Sequence, residues 1–148
     1  MKNTVPPPIV TLICAVLIYL SKPLFPELIF NHSVQLCLFF LVSGFIIILI
    51  SFQTFKEEKT TINPIKIEKA SSLVTYGIFK YSRNPMYLGM VLILISVAIK
   101  FNFYGGILIV VFFIYFMTYF QIIPEEKTML KLFGEDFINY RNKTRRWF

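Results

Sequence analysis

Apolar residues gather in four runs along the chain, at positions 5–20, 34–52, 86–99 and 104–123. No polar face recurs within them at helical period, so these segments have no side fit to meet water. At roughly 1.5 Å per residue, residues 34–52 come close to the roughly 30 Å hydrocarbon core of a bilayer. Residues 104–123 are likewise full length, whereas 86–99 are short for a span. Pro6, Pro7 and Pro8 suit a helix start better than a helix interior. A cleaved signal peptide is the rival reading of the first run, but residues 21–26 carry bulky Pro, Leu and Phe where a cleavage site needs small residues. The pattern predicts an all-α membrane protein of about four transmembrane helices. The last two should form a hairpin, with residues 100–103 and the Gly105-Gly106 pair as its turn.

Two polar stretches interrupt this pattern. Residues 53–85 hold six of the fifteen Lys and Arg, and the tail after Pro124 holds six more; the other two connections hold only Lys22 and Lys100. Basic residues mark cytosolic loops, so both stretches, both termini and Lys2 are expected on the cytosolic side, a parity that four spans satisfy. In the tail, Glu125, Glu126, Leu130, Leu132, Phe133, Phe137 and Tyr140 mix charge with apolar residues at helical spacing, which predicts an amphipathic C-terminal segment at the membrane surface. The chain divides into a two-helix membrane segment, 1–52, and a region 53–148 that carries the polar stretches and the hairpin.

With 148 residues, 56% hydrophobic and only 16% charged, the chain is too apolar for a water-soluble domain of its size. The formal charge of +7 is concentrated in the two polar stretches, so it reads as topology and membrane lipid rather than as a nucleic-acid surface. Cys14 and Cys37 fall in apolar runs, where a thiol packs as a small hydrophobe. With His32 the single histidine, no metal site is expected.

The first polar stretch runs into residues 73–89, LVTYGIFKYSRNPMYLG, and the tail opens on Glu125-Glu126 followed by Phe133-Gly134-Glu135-Asp136-Phe137-Ile138-Asn139-Tyr140. These resemble the two halves of the motif of the isoprenylcysteine carboxyl methyltransferase and phospholipid methyltransferase family: G-x-Y-x-x-x-R-H-P-x-Y-x-G, then an acidic pair and F-G-x-x-Y-x-x-Y. Two motifs in the right order around a hydrophobic hairpin are more specific than either alone. The resemblance covers about residues 71–147; the first two helices match only in being hydrophobic.

The resemblance implies an S-adenosylmethionine-dependent membrane methyltransferase acting on a hydrophobic or lipid-like acceptor, and one that holds its cofactor without a Gly-rich Rossmann loop. The chain has no G-x-G-x-x-G. The family pattern carries cofactor contacts onto Leu73, Val74, Phe79, Asn84, Pro85, Met86, Tyr87 and Glu125. Glu125 would pair with the cofactor ammonium; its bland alternative is a helix-start carboxylate after Pro124. Arg83 is a candidate for meeting a lipid headgroup or cofactor carboxylate, or else an interfacial arginine that snorkels. Glu126 and Tyr140 are candidates for deprotonating an amine acceptor. The terminal Arg141, Lys143, Arg145, Arg146 and Trp147 read as a basic and aromatic lipid anchor, or as a segment closing over the cofactor.

Three departures from the family pattern bear on its chemistry. Asn84 stands where histidine is common and cannot titrate near neutrality. Phe79 lacks the hydroxyl of the usual tyrosine. Gln121, one turn before the acidic pair, replaces the arginine with which isoprenylcysteine members meet the substrate carboxylate, and an amide is a poor substitute for a guanidinium fork. A non-catalytic transporter subunit would be expected to carry an ionisable residue within a span, and the four runs contain none. A membrane reductase with a related helix arrangement, binding a nicotinamide cofactor, is the third reading.

Overall fold

The computed structural model describes residues 5–26, 32–58 and 72–148. Lys2, Lys59, Lys66 and Lys69, four of the cations in the charge argument, lie outside the described residues. Those described form helices and no strand: α1 (Pro7–Leu20), α2 (Ser33–Glu57), α3 (Pro85–Phe101), α4 (Phe103–Phe116) and α5 (Ile123–Lys143). Among the described residues, two helices are long and apolar enough to cross a membrane, α2 and the continuous helix Phe103–Lys143 that joins α4 to α5; α1 and α3 are shorter apolar helices.

Helix α3 is the centre of the bundle. Its Tyr87, Met90, Val91, Leu94 and Ala98 form one buried cluster with Val10, Cys14 and Ile18 of α1 and Val110 and Phe113 of α4. On another side, α2 approaches α3 at two glycines. A Cβ on Gly44 would lie 2.7 Å from the Gly89 carbonyl oxygen, and one on Gly89 equally close to that of Gly44, so only hydrogen fits between the two backbones. Farther along the same contact, the Cys37 thiol and the Ser96 hydroxyl are 3.2 Å apart. The outward faces of α1 and α2 remain apolar and exposed, as in Leu12, Val16, Phe39, Val42 and Leu49.

The α3–α4 hairpin turns more sharply than the sequence pattern suggests. Asn102 alone separates the two helices, and Gly105 and Gly106 lie inside α4. Asn102 makes this possible: its Oδ1 accepts the Gly105 N–H at 3.1 Å as an N-cap, while its Nδ2 donates to Ser21 Oγ at 2.9 Å. Gly106 is needed for packing, since any Cβ there would collide with Ala98 of α3.

The tail is not a separate surface helix after Pro124. α4 passes into α5 through a π-helical stretch, Met117–Ile122, so the chain leaves the hairpin without a break. A π turn loosens the backbone ladder where Pro124 can supply no N–H. The bend comes later, at Gly134, with φ 49° and ψ −120°. Beyond it Phe137 and Tyr140 turn into a second buried cluster with Val74 and Phe79, flanked by Phe55, Leu73 and Phe133. Phe133, Phe137 and Tyr140 of the expected amphipathic face thus pack against the first motif.

Candidate functional site

Both halves of the motif meet at one end of α3. Pro85 at the start of α3 and Asn84 before it fix the direction in which the preceding loop arrives. Gly77, at φ 60°, allows that loop to wind into the short 3-10 turn Gly77–Lys80. The α4–α5 helix then carries the acidic pair back past the same end of α3.

Glu125 and Glu126 are neighbours in sequence with different surroundings. Glu125 Oε1 accepts from the Tyr87 hydroxyl at 2.7 Å and from the Gln121 amide. Desolvation pushes its carboxyl up to about 7, against the lowering effect of those two hydrogen bonds. It lies just beyond the apolar run that ends at Ile123. Burial would raise Glu126 as well, but hydrogen bonds from Arg146 and Arg83 outweigh it and hold that carboxylate below its usual range. Arg83 Nη2 donates to Glu126 Oε1 at 2.6 Å, and Arg146 grips both carboxylate oxygens, at 3.0 and 2.7 Å. Two guanidiniums on one carboxylate leave a net positive cluster.

The Arg83 side chain is only 8% exposed. Its Nη1 donates to the carbonyls of Arg141 and Thr144, and its backbone N–H to the Arg145 carbonyl at 3.0 Å. Asn84 Nδ2 donates to the Arg146 carbonyl at 2.9 Å, so the amide that stands in place of histidine fastens the tail. Tyr140 donates its hydroxyl to the Phe79 carbonyl at 2.7 Å, and its phenol is raised above its ordinary value, chiefly by burial. The end of the chain is therefore bound into the fold, and of the expected basic anchor only Arg141, Lys143 and Arg145 stay exposed.

A cavity of about 700 Å³ opens beside this cluster, lined by Leu73, Thr75, Lys80, Phe133, Asp136, Asn139, Tyr140, Lys143 and Thr144. Of the residues expected at the site, Leu73 and Tyr140 line it. Val74 and Phe79 are buried in the cluster that includes Tyr140, Pro85 is buried at the start of α3, and Met86, next in sequence, is half-buried. Glu125, Tyr87 and Gln121 form a hydrogen-bonded group of their own, and Arg83 with Glu126 forms the ion cluster. Thr144 joins the two regions, because it lines the cavity and its carbonyl accepts from Arg83. Asp136, Asn139, Tyr140 and Lys143 recur at spacings of three and four on α5, a helical face that the sequence displays. Lys80 and Thr75 come from the loop, and nothing in their spacing marks them.

A profile described as phospholipid methyltransferase matches residues 33–136, more than half of the chain. The chain belongs to the phospholipid methyltransferase family. The match takes in the first motif and the acidic pair, stops at Asp136 within the second motif, and extends back through α2. No curated protein and no solved structure matches the chain. Phospholipid methyltransferases are membrane-associated and act on lipids, which agrees with the two helices able to span.

Proposed function

We propose that the protein transfers a methyl group from S-adenosylmethionine to a lipid-like amine or another hydrophobic acceptor at the cytosolic face of the membrane. The observation that carries this reading is the closure of the two motif halves on each other, Tyr87 onto Glu125 and Arg83 onto Glu126, in a chain that matches the family profile over residues 33–136. All four apolar helices cross the bilayer in this reading, α1 and α3 with help from flanking residues, and both termini are cytosolic. Residues 1–52 then brace α3, and 53–148 carry the chemistry.

The residues present suit the cofactor. Leu73 and Phe133 offer an apolar slot for adenine; Thr75, Asn139 and Thr144 offer hydrogen bonds; Lys80 and Lys143 are cations for a carboxylate, and Asp136 is an anion for an ammonium. Glu125 lies outside this lining and is the anion that the family pattern gives the ammonium. Bound there, S-adenosylmethionine supplies an electrophilic methyl carbon, and the protein's work is alignment and exclusion of water. Glu126, held ionised by two arginines, and Tyr140, committed to the Phe79 carbonyl, are holding groups rather than bases.

The acceptor is read from Gln121. It is 5% exposed and spends its amide on Glu125, so no guanidinium faces a carboxylate acceptor there, and desolvating such a group without a partner is costly. The test supplies labelled S-adenosylmethionine to the purified protein with farnesylcysteine or with phosphatidylethanolamine-type lipid, then repeats it with Gln121→Arg. Methylation of the aminolipid alone by the parent is expected. Strong methylation of farnesylcysteine, unchanged in the variant, would overturn this choice of acceptor.

A further inference from the structure

The last residues of the chain reach past the ion cluster to the π turn. Trp147 Nε1 donates to Thr118 Oγ1 at 3.2 Å, and its ring packs on the buried cluster that contains Tyr87, Met117 and Ile122. Thr118 in turn donates to the Ile114 carbonyl at 2.7 Å, a bond that bends helices. The tail cannot drift from this position, since the Arg145 and Arg146 carbonyls are held by Arg83 and Asn84, and Arg146 is held by Glu126. A π turn is a rare conformation that needs something to maintain it. Each residue advances a helix by about 100°, so closing this turn into α-helix would rotate Glu125 away from Tyr87.

We propose that Trp147 is a positioning residue for the Glu125 site: its indole holds Thr118, Thr118 holds the π turn, and the turn aims Gln121 at Glu125. The consequence for cofactor binding rests on the function proposed above; the coupling of Trp147 to Glu125 does not. The groups facing Glu125 are the Tyr87 hydroxyl, the Gln121 amide and the adjacent Glu126 with its two arginines. Burial pushes the Glu125 carboxyl up to about 7.

Trp147 is the only tryptophan in the chain, so intrinsic fluorescence of the full-length protein in lipid nanodiscs reports on it without ligand. Its emission should change across neutral pH, and the change should vanish in Glu125→Gln and in Thr118→Val. With S-adenosylhomocysteine as probe, Trp147→Phe should weaken binding roughly three- to tenfold. The pH midpoint of binding should also rise, because the Gln121 hydrogen bond holds the Glu125 pKa down. Thr118→Val should do the same, and the double variant should lose no more than either alone. An emission indifferent to pH, or additive losses with an unmoved midpoint, would overturn the proposal. A fluorescence transition that depends on Glu125 in a protein that binds no S-adenosylhomocysteine would support the positioning role and sink the proposed cofactor.

Discussion

Glu125 and Glu126 show how far one position along a helix separates two identical side chains. Glu126 meets two guanidiniums and stays ionised, while Glu125 meets a phenol and an amide and is poised near neutrality. On the proposed reading, the Glu125 carboxylate pairs with the cofactor ammonium. Glu125→Gln should then weaken S-adenosylhomocysteine binding by roughly 1.5–3 kcal/mol, whereas Glu135→Gln, at an exposed position, should do little; calorimetry on the purified variants checks the contrast. The sign of the pH dependence follows. Below about 7 the carboxyl is protonated and has no charge to offer, so parent affinity should fall as pH drops through that value, and the Gln variant should lack this fall. The acidic pair, Arg83 and Tyr87 were legible in the sequence because they sit in spaced motifs. Their partners were not, because Arg146 on Glu126 and Asn84 on the Arg146 carbonyl span many residues and depend on where the tail returns.

The helices themselves were legible from unbroken apolar runs, and their junctions less so. A run of apolar residues reads the same through an α turn and a π turn, so nothing in residues 117–122 announced the change that keeps α4 and α5 continuous. The glycines were visible but not their use. Gly44 and Gly89 let α2 and α3 touch backbone to backbone, so Gly44→Ala should push the helices apart and cost about 1–3 kcal/mol, read as a lowered unfolding temperature in detergent. Gly134 has open space around it, yet its positive φ is strained for any other residue. Gly134→Ala should cost about 1–2 kcal/mol and loosen Phe137 and Tyr140 from the first motif, seen as faster proteolysis of the tail.

At the scale of the molecule, α3 and the α4–α5 helix bring the two motif halves to one end, and the C-terminal residues fasten them together. Charge bias predicts that this end faces the cytosol. Reporters at residues 1 and 148 should both be cytosolic and one near His32 should lie outside; a cytosolic reporter at His32 would contradict the four-span arrangement. The amphipathic spacing after Pro124 was visible in the sequence, but which part of that face meets protein was not, because the bend at Gly134 decides it. The central claim, that this end of the bundle is an S-adenosylmethionine site, is tested most directly by ligand binding to the purified full-length protein, comparing S-adenosylhomocysteine with NADPH. Saturable binding of S-adenosylhomocysteine, with none of NADPH, is the result the account predicts. Binding of NADPH with no affinity for S-adenosylhomocysteine would contradict it.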